Sequence, residues 1–119
     1  MKKVWSIDGH SDGDKIPKEM CSEVTQQVES FEKTRPWYPR LRIRTRFRTH
    51  FCYIELIEKD GSFSPLCRLR YFKNNGWSVA IYLWGCDRYL AVGSKAGDFF
   101  ELDIAIASGI KSCESTHLR

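Results

Sequence analysis

The spacing of hydrophobic residues along the chain predicts two helices with a run of strands between them. From residue 16 to 31 apolar positions recur every three or four residues, which is typical of an amphipathic helix, and Pro17 suits its first turn. The same spacing returns after residue 98, where Asp98 and Glu101 resemble a capping box. The apolar row of the first helix is Ile16, Met20, Val24, Val28 and Phe31, and that of the second is Phe99, Leu102, Ile106 and Ile110, broadened by Phe100, Ile104 and Ala107.

Between these helices, apolar and polar residues alternate, which is the pattern of half-buried strands. Three stretches show the alternation over most of their length, HFCYIELIEKD from residue 50, PLCRLRYF from residue 65 and WSVAIYLW from residue 77, and GCDRYLAV from residue 85 predicts a short edge strand. One face of the predicted sheet is aliphatic. The other face mixes aromatic and basic residues, namely Phe51, Tyr53, Arg68, Arg70, Phe72, Tyr82 and Trp84.

The alternation also predicts how the strands pair, because a shift of one residue would exchange the two faces. A three-residue loop, Asn74–Gly76, keeps apolar residues together and sets Leu69 opposite Ile81, with the loop glycine at positive φ. The same test places Ile54 near Leu69 and Glu55 near Arg68 across the preceding loop. The second pair is predicted to be a cross-strand ion pair.

These elements predict an α+β fold with two layers. It contains an antiparallel sheet of three to four strands, an N-terminal helix and a C-terminal helix, in the order αβββα. At 119 residues the chain is long enough for one domain with a sizeable core. We expect a short lead-in over residues 1–15, the domain over 16–112 and a tail over 113–119.

Composition adds the expectation of a soluble, cytoplasmic protein without a membrane partner. The chain is 42% hydrophobic, yet no stretch approaches the roughly 18 continuous apolar residues of a membrane span. The basic start lacks the apolar core of a secretion signal. Five dispersed cysteines, an odd number, predict reduced core residues in place of a disulfide framework or a zinc site.

The net charge of +4 comes from one short segment. Residues 35–50 contain six arginines and no acidic residue, and the stretch RLRIRTRFRTHF has an arginine at every second position over its first nine residues. A concentrated patch of this kind attracts anions more strongly than an even distribution of the same charge. The candidates for binding nucleic acid or another anion are Arg40, Arg42, Arg44, Arg46, Arg48, Arg68 and Arg70.

The arginines occupy even-numbered positions, and so do the residues of the following strand that face the aliphatic side of the sheet. Arg48 and His50 share parity with Cys52 and Ile54, which face the aliphatic side, where unpaired arginines cannot be buried. The sequence therefore predicts either a bulge near His50 or arginines that extend past the sheet into solvent. A bulge would turn the arginines toward the aromatic–basic face and form a groove. The floor of that groove would be Tyr53, Tyr82 and Trp84.

The arginine pattern does not by itself require a partner. Repulsion along such a strand costs about 1 kcal/mol at physiological salt, so a solvated edge that discourages aggregation also explains it. The order of elements resembles that of double-stranded-RNA-binding domains, but that is an analogy of topology. The last helix here starts with the acidic stretch AGDFFELD, where such domains carry lysines.

Sequence motifs for catalysis or cofactor binding do not occur. The three histidines are far apart, and neither H-E-x-x-H, G-x-S-x-G nor a phosphate-binding glycine loop is present. Asp8, Asp12, Gly13 and Glu19 have the spacing of a calcium loop, but His10 replaces a ligand. This favours an acidic lead-in over a metal site and leaves cation binding there open. The sequence predicts no cofactor and favours a non-enzymatic role, without excluding an enzyme.

Residues 66–110 carry a resemblance to a known family. The stretches LCRLRYF, GWSVAIYLW, DRYLAVGS and GDFFELDIAIASGI resemble those of small uncharacterised bacterial proteins, some of which are carried on mobile, integron-type gene cassettes. The most specific part is C-R-L-R-Y-F followed by W-x-x-A-x-Y. The resemblance covers a little over a third of the chain and supports the domain boundaries, but it implies no activity.

Three functional hypotheses follow from the sequence. The first is a binding module that self-associates, as a homodimer, through the aromatic sheet face, because exposed patches of this kind are often interfaces. The second is binding of nucleic acid or another polyanion through the strand from Arg40 to Arg48. The third is a small-molecule binder or enzyme with a pocket between sheet and helices. Candidates for the interface or for stacking are Phe51, Tyr53, Phe72, Tyr82 and Trp84.

Overall fold

Five antiparallel strands form one sheet, and two helices pack on one of its faces. The computed structural model describes residues 13–92 and 99–118. Neighbouring strands in the sheet follow the order of the chain, from β1 to β5. The elements are α1 (Lys18–Glu32), β1 (Arg42–Arg48), β2 (Phe51–Ile57), β3 (Phe63–Phe72), β4 (Gly76–Leu83), β5 (Arg88–Ala91) and α2 (Leu102–His117). The predicted α+β class is confirmed, but the strand count of three to four is too low, because the arginine segment itself forms the first strand.

A two-residue turn between β1 and β2 resolves the conflict of parity. Thr49 and His50 form the turn, so that Arg48 pairs with Phe51 and Arg44 with Glu55. An even-numbered residue of β1 therefore lies beside an odd-numbered residue of β2, and the arginines face away from the aliphatic side. Both predicted explanations, a bulge near His50 and a strand that extends into solvent, are wrong.

Hydrogen bonds from two other segments hold this turn. The carbonyl oxygen of Thr49 accepts the backbone N–H of Ile16 at 3.0 Å, and that of His50 accepts the N–H of Tyr71 at 3.0 Å. Thr49 has a φ of 56°, a left-handed conformation that is unfavourable for a β-branched residue. The surrounding contacts therefore fix a turn that the local sequence does not favour.

The side chains of β3 and β4 point to the predicted faces of the sheet, but the two strands pair in a different register. The loop is Lys73–Asn75, so Leu69 lies opposite Val79, two residues from the predicted partner Ile81. A shift of two residues leaves every side chain on its predicted face. The positive φ of Gly76 is confirmed, at 105°, and a Cβ at this position would lie 2.7 Å from the carbonyl oxygen of Phe100.

The β2–β3 register also differs from the prediction, because β3 contains a bulge at Leu66. Ile54 pairs with Cys67, whereas Glu55 pairs with Pro65. The predicted neighbour of Glu55, Arg68, lies opposite Tyr53. The predicted Glu55–Arg68 ion pair is therefore wrong.

The helices cover the aliphatic face of the sheet. Val24 and Val28 of α1 and Ile106 and Ile110 of α2 are almost fully buried, and α2 approaches β3 closely at Gly109. A Cβ on Gly109 would lie 2.8 Å from the sulfur of Cys67. The sheet contributes Ile43, Cys52, Ile54, Leu56, Cys67, Leu69, Trp77 and Val79 to this core.

The second helix begins later and ends later than predicted. Phe100 is not helical but exchanges two backbone hydrogen bonds with Trp77. The predicted apolar positions Phe99 and Ile104 are exposed, and Phe99 lies before the helix, which starts only at Leu102. The helix continues to His117, five residues beyond the predicted end of the domain, and Leu118 is buried in the core. Asp98, the predicted cap, lies outside the described residues.

The cysteines are small core residues, with one exception. Cys52, Cys67 and Cys113 are buried, and burial is the main cause that raises the pKa of each thiol, to about 11 for Cys113. Cys21 is partly buried, and Cys86 is exposed in the turn after β4. No helix among the described residues is long and apolar enough to cross a membrane.

Candidate functional site

The sheet face opposite the helices forms a broad surface of arginine and aromatic side chains. We call this surface the open face. No helix packs on it within residues 13–92 and 99–118. Strand pairing places Arg46, Tyr53, Arg68 and Ala80 side by side across four strands. The residues of the open face are Arg42, Arg44, Arg46, Arg48, Phe51, Tyr53, Glu55, Ile57, Phe63, Arg68, Arg70, Ser78, Ala80, Tyr82 and Tyr89.

Guanidinium groups lie over aromatic rings across the whole open face. Arg68 lies between two rings, with its central carbon 4.6 Å from the centroid of Phe51 and 4.3 Å from that of Tyr89. Arg46 lies 4.3 Å from the ring of Tyr53, and Arg70 lies 4.8 Å from the ring of Phe51. The negative face of an aromatic ring attracts a cation at these distances. The stacking therefore orients several of the arginine side chains.

Tyr89 extends the aromatic surface to the edge strand. Its ring packs edge-on against Tyr82, with centroids 4.9 Å apart, and lies 6.2 Å from the ring of Tyr53. Burial raises the pKa of Tyr89 to about 12, although the nearby Arg68 cation acts in the opposite direction. The phenol is therefore neutral at physiological pH. It presents a ring and a hydroxyl group beside the Arg68 cation.

Glu55 neutralises one end of the open face. Its carboxylate accepts hydrogen bonds from Nε of Arg44 at 2.9 Å and from Nη2 of Arg46 at 3.0 Å, and its side chain is 9% exposed. Burial alone would raise the pKa of Glu55, but hydrogen bonds from Arg46 and Arg44 outweigh it and lower the pKa. Arg44 also lies over the ring of Phe63 at 3.2 Å. These two arginines are therefore held by contacts within the protein.

Arg42 is likewise engaged within the protein. Its Nε donates to Glu32 at 2.9 Å, and the same carboxylate oxygen accepts the backbone N–H of Ile43 at 2.9 Å. Glu32 is 1% exposed, and it is the last residue of α1. Arg42 therefore links the first helix to the first strand. This role is structural.

Three of the predicted arginines lack an acidic partner in the described part of the chain. Arg40, Arg48 and Arg68 form no ion pair with any residue of 13–92 or 99–118. Arg40 is exposed in the loop before β1, outside the sheet. Arg48 ends β1 beside Phe51, and Arg68 lies near the centre of the sheet. Arg48 and Arg68 therefore provide positive charge that the described protein does not neutralise.

The aromatic candidates are only partly brought together. Phe51, Tyr53 and Tyr82 lie on the open face as predicted. Phe72 is buried and packs against Phe99, with centroids 5.0 Å apart. Trp84 is not part of the open face, so its predicted place in the groove floor is wrong. It follows the end of β4 and stacks on His117 of α2 at 3.7 Å.

Two aromatic residues of the open face, Phe63 and Tyr89, were not predicted from the sequence. The strand that contains Tyr89 has only four residues, which is too short for a clear alternation. The available signal was its pairing with Tyr82. If the chain turns back after β4 and forms an antiparallel strand, the two tyrosines lie opposite each other. Phe63 precedes the bulge in β3. Because the bulge inserts one extra residue, the alternation seen after the bulge assigns Phe63 to the wrong face of the sheet.

Two other predictions concern the calcium-like pattern and a pocket between sheet and helices. Asp8, His10 and Asp12 of the calcium-like pattern lie outside the described residues. Elsewhere in the described chain, no three potential metal ligands come together. A cleft of about 420 Å³ lies between the two helices, lined by residues that include Gln27, Phe31 and Ile106. A smaller cleft of about 270 Å³ lies between β4 and α2, lined by residues that include Ile81 and Thr116.

Comparison of this chain with protein-family models, with curated proteins and with solved structures gives no match. The resemblance to small bacterial proteins through residues 66–110 therefore stays a prediction.

Proposed function

We propose that the open face binds single-stranded nucleic acid. The observation that carries the proposal is the position of Arg68, a cation between the rings of Phe51 and Tyr89 with no acidic partner among the described residues. Single strands bind to surfaces that combine positive charge for the phosphates with aromatic rings for the bases. Arg48 adds a second positive charge at the end of β1, which β2 separates from the strand of Arg68.

The arrangement favours single strands over duplexes. In a duplex the bases stack on one another and are not available to the rings of Tyr53 or Tyr82, whereas unpaired bases can stack on such rings. Duplex DNA is most often read by a helix or a two-stranded ribbon in the major groove. Both described helices lie on the other side of the sheet.

Charge also favours a polyanion over a second copy of the chain on this face. In a two-fold dimer the same surface of both copies meets, so the arginines of one copy would face those of the other. Like charges across an interface cost several kcal/mol. A nucleic acid strand would neutralise the same charges. The sheet-to-sheet homodimer is therefore the weaker hypothesis.

Self-association remains a second candidate at the margins of the sheet. Leu90 on the edge strand β5 is 53% exposed, and Phe63 and Ile57, which pair at one end of the sheet, are also exposed. Exposed apolar residues on an edge strand favour pairing between chains. Association through these apolar residues would not weaken as salt rises, whereas nucleic-acid binding would weaken. Sedimentation at two salt concentrations distinguishes the two.

The proposal is tested by fluorescence anisotropy with labelled single-stranded DNA and RNA of mixed sequence and the matching duplexes. We expect the single strands to bind more tightly than the duplexes, with affinity falling steeply as salt rises. Arg68→Ala should weaken binding by about tenfold and reduce the salt slope by about 0.7, because one phosphate contact is lost. Arg88→Ala is the matched control, since Arg88 is an exposed arginine whose neighbour, Tyr89, points to the open face.

A second pair of variants tests the aromatic part of the site. Tyr89→Leu should weaken binding by about fivefold or more through the loss of stacking, whereas Tyr89→Phe retains the ring and should bind like the wild type. The proposal is wrong if no single strand binds in a salt-dependent manner. It is also wrong if Arg68→Ala and Arg88→Ala weaken binding equally.

A further inference from the structure

Glu55 occupies an unusual position on a surface otherwise dominated by positive charge. It is the one acidic residue within the five strands, and strand pairing places it opposite Arg44. The carboxylate is largely buried beneath the side chains around it. The core packing of the other sheet face does not involve this group. Its position therefore calls for an explanation in terms of the open face.

Both oxygens of Glu55 are occupied by arginines. Oε1 accepts from Nε of Arg44 at 2.9 Å and lies 2.8 Å from its Nη2, whereas Oε2 accepts from Nε of Arg46 at 3.2 Å and from its Nη2 at 3.0 Å. A carboxylate that accepts from two guanidinium groups in this way forms strong, charge-assisted hydrogen bonds. A phosphate could use the same donors only by displacing the carboxylate.

The open face is consequently divided into two parts with different charge. Around Glu55, two arginines share one carboxylate, and Arg44 is also covered by Phe63. Arg48 and Arg68, in contrast, form no ion pair with a described carboxylate. The second part is also the part that borders Tyr89.

We propose that Glu55 is a positioning residue that confines the nucleic acid strand to a track over Arg48, Arg68 and the rings beside them. The inference rests on the proposed function of the open face. Glu55 excludes phosphate from Arg44 and Arg46, and thereby sets the length and the course of the bound strand. These two arginines, which the sequence pattern predicts as ligands for the anion, support the site and do not contact the phosphates.

The test compares Glu55→Gln with Glu58→Gln in the full chain. Both variants remove one negative charge, but Glu58 hydrogen-bonds Ser64 and contacts neither of the two arginines. Glu55→Gln should tighten binding to single-stranded DNA by about fivefold and steepen the salt slope by about 0.7 to 1.4, because one or two further phosphates can be bound. Glu58→Gln should change the affinity less than about twofold.

A double variant controls for net charge at the same place. Glu55→Gln combined with Arg44→Gln has the net charge of the wild type and removes one of the released donors. We expect its affinity to return to within about twofold of the wild type. An unchanged gain in the double variant would show that the effect of Glu55→Gln is not exerted through Arg44.

Chemical protection of the wild-type protein provides a readout that does not depend on the folding of a variant. Arginines are modified with phenylglyoxal in the presence and absence of the oligonucleotide, and the modified sites are identified by mass spectrometry. We expect protection of Arg48 and Arg68 and unchanged modification of Arg44 and Arg46. Protection of Arg44 and Arg46 by the oligonucleotide would overturn the inference.

The two proposals fail in distinguishable ways. Absence of binding by the wild type contradicts the proposed function itself. Binding that depends on Arg68 but is unaffected in affinity and salt slope by Glu55→Gln contradicts only the role of Glu55.

Discussion

Two neighbouring residues on β2 are buried on opposite faces of the sheet, but for different reasons. On β2, Ile54 is fully buried by helices and neighbouring strands, whereas Glu55, the next residue, is 7% exposed on the opposite face. No described helix covers Glu55. Long side chains of the sheet itself surround it, including those of Arg44 and Arg46. One face therefore supplies the packing of the fold, and the other supplies an ordered array of charges and rings.

The same division appears in the distribution of charge between the layers. The helix α1 contains four glutamates and one lysine, whereas β1 contains four arginines and no acidic residue. Among the described elements, the helices therefore carry a net negative charge and the open face carries a net positive charge. Such an asymmetric field orients an approaching polyanion before contact.

Neighbouring substitutions on β2 should show the largest difference between the faces. Ile54→Ala should lower the free energy of unfolding by about 2–5 kcal/mol, because it leaves a cavity in the core between sheet and helices. Tyr53→Ala, one residue away on the open face, should cost about 1 kcal/mol. Urea unfolding followed by circular dichroism measures both. Equal losses would mean that the open face is packed as tightly as the core.

An ion pair on the helical side should give an intermediate effect that depends on pH. Glu114 of α2 accepts from Nε of Arg35 at 2.6 Å and from the indole N–H of buried Trp37 at 2.8 Å. Glu114→Gln should lower the free energy of unfolding at pH 7 by about 1–3 kcal/mol, because the charge-assisted hydrogen bonds are weakened. Glu101→Gln, at an exposed position before the same helix, should have little effect.

The pH dependence of this effect follows from the direction of the pKa shift. The hydrogen bond from Arg35 is the main cause that lowers the pKa of Glu114 below its ordinary value of 4.5. The ion pair therefore contributes fully above that pH, and its contribution is lost as the pH falls through the lower pKa of the folded state. The difference between wild type and Glu114→Gln should shrink in urea titrations below pH 4.5. A difference that stays constant in acid would contradict the ionic role of Glu114.

The faces of the sheet could be predicted from sequence, because they depend only on parity. The registers of β2–β3 and β3–β4 were each wrong by two residues at Ile54 and Leu69, yet both residues face the core as predicted. A displacement of two residues does not change the face of a side chain. The helix α1 was predictable for a similar reason, since its apolar residues recur over nearly four turns.

The composition of the site could not be predicted to the same extent. The turn at Thr49–His50 contains neither glycine nor asparagine, the residues that usually indicate a two-residue hairpin loop. The partner of Glu55 depends on that turn and on the bulge at Leu66, neither of which has a clear local signal. Trp84 followed the alternation of β4, but the strand ends at Leu83. Alternation therefore identified the basic face without distinguishing the paired arginines from the unpaired ones.

The smallest predicted effect concerns the contact that best defines the open face, the stacking of Arg68 on Tyr89. A double-mutant cycle of Arg68→Met and Tyr89→Leu should give a coupling free energy of about 0.5–1 kcal/mol by urea unfolding, as expected for a partly buried cation–ring pair. The same cycle with Arg88→Met should give a coupling near zero, because Arg88 is exposed and no ring contact joins it to Tyr89 in the described structure.

Arg68→Met should also raise the pKa of Tyr89 in a spectrophotometric titration, because the removed cation stabilises the phenolate. A coupling of zero together with an unchanged titration would show that Arg68 does not lie over Tyr89 in solution, and the open face would then lack the ordered cation on which its proposed function depends.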